Sequence, residues 1–271
     1  MKNLFALLAF AGLAFAACSD NDDNIVPPPA DDGTVTWGGV KYQTVTLKDG
    51  RTWMAENLRY VPEGKAVSSD PTENSGIWYP QEVVAESEDV YKAVVSTDAE
   101  YVVKVGYYYD FLTAVGIAEI TAENSTTFEG AQGICPDGWH IPTEAEFTAL
   151  LEAYRREDGK TYWADFNEDG FNAILTQMRS KNTSVATGAW ASAINASTHV
   201  FSGGWMMSST ANTVNGNNYK VNEATGAVTT QNKVLMFLDT YVAASGLTNQ
   251  TTSLSNASNF AGIPVRCIKN E

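Results

Sequence analysis

The stretch from Gly133 to Phe147 reads GICPDGWHIPTEAEF and carries the clearest local signals of the 271-residue chain. Thr143 is followed three residues later by Glu146, which is the spacing of a capping box at the start of a helix. The apolar residues that come next recur at the spacing of one helical face: Phe147, Leu150, Leu151 and Tyr154. We therefore predict a helix over residues 144–156.

The same stretch resembles the core of the Fibrobacter succinogenes major paralogous domain, a family of exported bacterial proteins. Five further segments resemble other motifs of that family and follow one another in the same order: Thr52–Leu58, Gly106–Tyr109, Asp169–Ala173, Trp205–Thr210 and Val265–Lys269. Together the matches span about residues 36–270. Residues 82–105 depart from the family pattern, and we expect them to be a hairpin insertion.

That family in turn resembles the C-type lectin-like fold, which formylglycine-generating enzymes also use. The resemblance implies an α+β fold of antiparallel sheets with few short helices and long polar loops. In that fold a cysteine before a helix is bridged to a cysteine in the last strand, and Cys135 and Cys267 stand at those positions. Taken alone, an even pair of cysteines in an exported chain fits either a disulfide or two buried free thiols.

Local patterns predict two hairpins in the first half of the chain. Val35–Val45 and Thr52–Met54 are strand-like segments around the turn signal Asp49-Gly50. Two β-branched runs, Val90–Val95 and Tyr101–Val105, follow further on and predict a second hairpin.

The first seventeen residues have the pattern of a signal peptide. Lys2 precedes an apolar run from Leu4 to Ala17 that is shorter than the roughly 20 residues of a membrane-spanning helix. Small residues directly before Cys18 resemble the lipobox of bacterial lipoproteins, so residues 1–17 are expected to be removed and Cys18 to be lipidated. The alternative is an ordinary signal peptide cut near Ala17, which leaves Cys18 as a free thiol.

The residues after Cys18 indicate a flexible tether and a signal for export to the cell surface. Ser19–Asp23 resembles the surface-export signal of Bacteroidetes lipoproteins, although an acidic spacer would have the same composition. Pro27–Pro29 favours an extended chain. We expect residues 18–34 to be a flexible tether, residues 35–271 to be a single domain, and the protein to be lipid-anchored at the surface of the outer membrane.

Composition narrows the range of partners. The chain has 17 basic and 32 acidic residues and a formal net charge of −15, whereas nucleic-acid binding needs a basic face. We therefore expect no nucleic-acid partner. Hydrophobic residues make up 44% of the chain, which suffices for a large core.

No catalytic motif stands out. His140 and His199 are the only histidines in the sequence, and neither lies in a motif with a nucleophile or an acid. Formylglycine-generating chemistry needs reactive cysteines, and a bridge between Cys135 and Cys267 would use both. We predict that the protein is not an enzyme and needs no cofactor.

One segment has the opening spacing of a calcium loop. Asp165, Asn167 and Asp169 alternate before Gly170, but Thr176 stands at the twelfth position, where such loops have a bidentate Glu. We assign no metal ligand, and calcium binding at the three residues stays open.

Aromatic and amide side chains in the polar second half suggest recognition. Trp190, Asn217, Asn218 and Tyr219 are candidate ligand contacts, because aromatic rings stack on the C–H faces of sugars while amides bind hydroxyls. The expected function is a non-enzymatic binding or adhesion module for a glycan or protein ligand. The alternatives are a structural subunit of a surface assembly such as a fimbrial tip, and an enzyme of the formylglycine-generating type.

Overall fold

A computed structural model of the chain contains antiparallel strands, with its short helices lying between residues 99 and 168. Its described residues are 33–87, 90–120, 128–174, 179–180, 189–190, 194–195, 199–211, 219–221, 228–242, 247–249 and 251–271. Residues Gly33–Glu271 form one compact unit. No helix in the described ranges combines the length and the apolarity that crossing a bilayer requires.

The strands of the described ranges are, in chain order, β1 Thr34–Trp37, β2 Val40–Thr46, β3 Thr52–Met54, β4 Ile77–Trp78, β5 Gln81–Ser87, β6 Val90–Val95, β7 Tyr108–Tyr109, β8 Trp139–His140, β9 Arg179–Ser180, β10 Ala189–Trp190, β11 Ile194–Asn195, β12 His199–Ala211, β13 Tyr219–Val221, β14 Val228–Val242, β15 Leu247–Asn249, β16 Thr252–Ser258, β17 Ile263–Pro264 and β18 Ile268–Lys269. The helices are α1 Ala99–Val105, α2 Phe111–Val115, α3 Glu144–Ala153 and α4 Trp163–Glu168. The fold is therefore sheet-rich and mixed, with short helices and antiparallel sheets, in agreement with the coarse fold class expected from the sequence.

The first sheet has the strand order β1-β2-β3-β18-β8. The segment Val35–Val45, which we predicted as one strand, is in fact two, because β1 and β2 are joined by a two-residue turn at Gly38 and Gly39. Both glycines have positive φ angles, 55° and 77°. Two consecutive residues with positive φ angles form the tight turn that matches the twist of the two strands in a hairpin.

The second sheet is built on the long strand β14. Strand β12 pairs along one side of it, and β13, β16 and β15 pair in succession along the other. The start of β16 also meets an earlier loop, since the Thr252 amide donates to the Thr161 carbonyl at 2.9 Å. This contact joins β16 to the segment that follows helix α3.

The strand pairing predicted for the second hairpin is wrong. Strands β5 and β6 pair with each other, whereas the β-branched run Tyr101–Val105 lies in helix α1. The Asp98 side chain accepts a hydrogen bond from the Tyr101 amide at 2.9 Å, and the helix stops at Gly106. An N-cap and a C-terminal glycine outweigh β propensity here, because they satisfy the backbone groups at the helix ends.

Helix α3 forms where it was predicted, with the capping box in place. The Glu146 amide donates to Thr143 Oγ1 at 3.1 Å, and the Thr143 amide donates back to the Glu146 carboxylate at 2.8 Å. The helix ends at Ala153, earlier than expected, because the chain then turns and the Arg156 amide donates to the Lys160 carbonyl at 2.9 Å.

Buried side chains form two main clusters. One surrounds the cysteines at residues 135 and 267, and the other lies between helices α3 and α4 and strands β3 and β14. In the second cluster the Trp53 ring stacks on Phe147 at a centroid distance of 5.7 Å and meets the edge of Phe171 at 5.9 Å. The apolar face of α3 is thereby fixed against the first sheet.

Candidate functional site

Three of the segments singled out in the sequence converge on one buried guanidinium. Arg266 is fully buried and lies over the Phe171 ring at 4.4 Å. Its Nε donates to Asn57 Oδ1 at 3.1 Å, its Nη2 to the Asn172 carbonyl at 3.2 Å, and its Nη1 to the Phe171 carbonyl. Burial lowers the pKa of Arg266 to about 9, so the group stays charged at neutral pH. These motif residues build the scaffold rather than an exposed site.

The segment Trp205–Thr210 also serves the scaffold. Ser209 Oγ donates to the Ile141 carbonyl at 2.9 Å, and the Glu144 amide donates to Thr210 Oγ1 at 2.7 Å. Strand β12 therefore holds the start of helix α3. The side chain of Trp205 lies outside the described part of the structure.

His140 links strand β8 to two other elements. Its Nε2 lies 3.0 Å from both carboxylate oxygens of Glu146, and its Nδ1 lies 2.6 Å from Asn270 Oδ1. The hydrogen bond to Glu146 raises the pKa of His140 despite its partial burial. Burial opposes ionisation of Glu146, but hydrogen bonds from His140 and Thr143 outweigh it and lower the pKa of that carboxyl. Both ring nitrogens of His140 therefore contact other side chains of the scaffold.

Cys135 and Cys267 form a disulfide, and both are fully buried. The bridge places the cysteine before α3 against the cysteine before the final strand β18. Neither sulfur is a free thiol that could act as a nucleophile or bind a metal.

The three residues with calcium-loop spacing point to different partners. Asp165 lies in helix α4 and pairs with Arg156, Asn167 donates to the Ala173 carbonyl at 3.0 Å, and Asp169 accepts from Tyr154 at 2.6 Å. Within the described ranges no three acidic, histidine or cysteine side chains are grouped as a metal ion would require. The helical backbone explains the divergence, because side chains two residues apart leave a helix in different directions.

The predicted contact residues are placed only in part. Trp190 lies in strand β10 opposite Arg179, and Tyr219 lies in strand β13 opposite Thr230. Their side chains are not among the described parts of the structure, and Asn217, Asn218 and Cys18 lie outside the described residues altogether. The proposed contact face therefore stays a prediction.

A cleft of about 360 Å³ opens between the second half of helix α3, the loop that follows it and the start of strand β16. It is lined by Thr148, Leu151, Glu152, Arg155, Gly159, Lys160, Thr161, Thr251, Thr252, Ser253 and Leu254. All four residues of the segment 251–254 line the cleft, although the side chains of alternate strand residues point to opposite faces of a sheet. The cleft therefore follows the edge of the strand rather than one face of the sheet.

Hydroxyl groups dominate the polar lining. Thr148 Oγ1 donates to the Glu144 carbonyl at 2.8 Å, and Thr161 Oγ1 donates to the Leu151 carbonyl at 2.9 Å. Both oxygens keep lone pairs that can accept another hydrogen bond. Thr252 is only 7% exposed, and its Oγ1 is buried without any hydrogen-bond partner.

The charges at the rim are largely compensated. Arg155 Nε donates to Glu152 Oε2 at 2.9 Å, its Nη2 contacts the other carboxylate oxygen, and its Nη1 donates to the Gly159 carbonyl at 3.3 Å. Lys160 is exposed at the same rim. The cleft thus offers donors and acceptors side by side.

Sequence reasoning missed this cleft. Its walls come from residues 148–161 and 251–254, which are distant in the chain and meet through tertiary contacts such as the hydrogen bond from the Thr252 amide to the Thr161 carbonyl. The one local signal was the hydroxyl run Thr251-Thr252-Ser253, which is also common in ordinary strands.

A family model described as the Fibrobacter succinogenes major domain matches residues 49–269, more than half of the chain. The matched range includes the disulfide, the Arg266 network and every residue that lines the cleft. Comparisons with curated proteins and with solved structures gave no match.

Proposed function

The chain belongs to the Fibrobacter succinogenes major domain family, and from this membership and the geometry above we propose that it is a non-enzymatic surface lipoprotein that binds a glycan or protein ligand in the cleft between α3 and β16. Membership identifies the scaffold. The ligand site is inferred separately, from the side chains that line the cleft.

The cleft is the observation that carries the proposal. Its walls are a capped helix and a paired strand, so a ligand would meet preorganised groups. Hydroxyl oxygens, a compensated ion pair and two leucines face one opening, and such a mixture suits recognition. By contrast, three side chains of the described residues that could do chemistry, His140 and the two cysteines at 135 and 267, are held in structural contacts.

The finer fold assignment is part of the proposal. We favour the C-type lectin-like fold, which is supported by the bridge from the segment before α3 to the residue before β18 and by the antiparallel sheets. Sharing a fold does not determine function, so the ligand has to be argued from the cleft itself.

The cellular location is likewise proposed from the sequence. The lipobox-like residues before Cys18 support a lipid anchor in the outer membrane, and Ser19–Asp23 supports exposure at the cell surface. A tether of this kind would leave the compact unit free to meet a ligand outside the cell.

A binding screen with a cleft-blocking variant tests the proposal. The full chain, purified in detergent, is screened against glycans and surface proteins, and any ligand is then measured with Ser253→Trp and Asn256→Trp. Both residues are exposed on β16, but only Ser253 lines the cleft. We expect Ser253→Trp to abolish binding and Asn256→Trp to leave it unchanged.

Two results would contradict the proposal. Loss of the ligand only in Trp190→Ala or Tyr219→Ala would move the site to the face predicted from the sequence. Turnover of a bound compound that disappears in a folded His140→Gln variant would make the protein an enzyme.

A further inference from the structure

We infer that the cleft between α3 and β16 takes a neutral sugar ring and that the Thr252 hydroxyl donates a hydrogen bond to it. This inference rests on the proposed function, because it names the ligand class of the same site. It follows from the state of the hydroxyls, the balance of charge and the size of the opening.

The hydroxyl of Thr252 has no hydrogen-bond partner in the protein. Thr252 is one of the residues that line the cleft, and its Oγ1 is buried and makes no hydrogen bond. Leaving a buried hydroxyl without a hydrogen-bond partner destabilises the folded protein. Valine has nearly the same shape and would avoid this cost, so the threonine is best explained by a partner that arrives with the ligand.

Neighbouring hydroxyls complete the polar pattern. The amide of Thr252 is bonded to the carbonyl of Thr161, which sets the two residues side by side. The protons of Thr161 and Thr148 are already donated to helix carbonyls, so their oxygens can act only as acceptors. One donor next to two acceptors suits a ligand whose own hydroxyls both donate and accept, as those of a sugar do.

Charge favours a neutral ligand. The Arg155 guanidinium is engaged by both oxygens of Glu152 and by the Gly159 carbonyl. A carboxylate or phosphate would have to displace Glu152 to reach that guanidinium. Lys160 lies at the exposed rim, where solvent and salt screen its charge and weaken its attraction for an anion. A polyhydroxyl compound needs no such displacement.

The size and floor of the cleft agree with this class. About 360 Å³ lies near the lower end of small-molecule pockets, which run from roughly 300 to 1,000 Å³. This is room for one or two sugar rings rather than a long chain. Leu151 and Leu254 offer apolar surface to the C–H face of a ring.

The test uses Thr252→Val in the full chain, with Thr36→Val as the matched control. Thr36 is exposed in β1 of the other large sheet. Glucose, galactose, mannose, N-acetylglucosamine and glucuronic acid are titrated by calorimetry and by chemical-shift changes. We expect a neutral sugar to bind the native chain and to bind Thr252→Val at least about fivefold more weakly, the loss of one hydrogen bond. We also expect Thr252→Val to have a higher Tm than the native chain, and Thr36→Val to change neither property.

Several outcomes would overturn the inference. Unchanged sugar affinity in Thr252→Val, or a lower Tm of that variant, would show that the hydroxyl serves the fold alone. Binding of glucuronic acid without any neutral sugar would overturn the ligand class. A protein or larger glycan that is lost in Ser253→Trp while no neutral sugar binds would refute the inference and leave the proposed function standing. If no ligand of any kind is found, both fail.

Discussion

Buried guanidinium groups hold distant segments of this chain together. Like Arg266, Arg179 is fully buried, and it lies over the Trp78 ring at 3.8 Å. It donates to the carbonyls of Pro71 at 2.7 Å and Phe260 at 2.9 Å. The planar fork of an arginine can serve several carbonyls at once, and a lysine cannot.

We therefore expect Arg266→Lys to lower the free energy of unfolding by about 3 kcal/mol or more, since several buried oxygens lose their donor. Urea unfolding followed by fluorescence measures this. Arg156→Lys is the control, because that arginine is about half exposed in its pair with Asp165 and its substitution should leave stability nearly unchanged. Equal effects of the two substitutions would contradict the structural role of Arg266.

His140 should make stability depend on pH. Its pKa in the folded protein is raised above the ordinary 6.5 by the hydrogen bond to Glu146, so the stabilisation is fully present below 6.5 and is lost as the pH rises through the raised value. We expect the native chain to exceed His140→Gln in stability by about 1 kcal/mol near pH 5.5 and by less near pH 8.5. A constant difference between the two proteins across this range would disprove the coupling.

At the scale of single elements, helix α1 depends on its N-cap. Asp98→Ala should lower the free energy of unfolding by about 1 kcal/mol, because the Tyr101 amide loses its acceptor. Asp98→Asn keeps a capping oxygen and should retain most of the stability. Chemical denaturation compares the two variants, and equal losses would argue against a cap at this residue.

Elements were predictable where their signals are local. Helix α3 has its capping box, Thr143 and Glu146, and its apolar face within one short stretch, so these local signals sufficed to predict it. The run Tyr101–Val105 was misread because its β-branched residues suggested a strand, while the deciding signals were single residues at its ends, Asp98 and Gly106. The family motifs were recognisable, yet their meeting at Arg266 is a tertiary contact that no spacing reveals.

The candidate site was less predictable than the fold. Thr252 looked like any strand threonine, and only the packing of β16 against the loop after α3 shows that its hydroxyl lacks a partner. Trp190 and Tyr219 were singled out because aromatic residues stand out among polar neighbours, and this choice awaits the binding experiments.

At the scale of the whole molecule, the disulfide stabilises the fold because it restricts the conformations of the unfolded chain. The bridged residues are 132 positions apart, and closing a loop of that size is worth roughly 4–5 kcal/mol in the chain-entropy account. We expect the double variant Cys135→Ala, Cys267→Ala to unfold at a clearly lower urea concentration than the oxidised native chain. Native protein whose midpoint does not change with reductant, or in which mass spectrometry finds both thiols free, would contradict the bridge.

The anchor can be tested on whole cells. Cys18→Ser should move the protein from the membrane fraction to the soluble fraction, because the lipid would have no attachment point. Unchanged membrane retention of this variant would refute the anchor. Surface exposure is checked separately with external protease on intact cells, and survival of the protein while a known surface control is cut would refute it.

The position of the last strand has a consequence for biogenesis. Strand β18 lies between β3 and β8 inside the first sheet, although its residues follow almost all the rest of the chain. A polypeptide that emerges from its N-terminus onwards cannot close this sheet, or bring Cys267 to Cys135, until nearly the whole length has appeared. A chain that crosses a membrane through a translocation pore would therefore complete the first sheet and its disulfide only after it has left the pore.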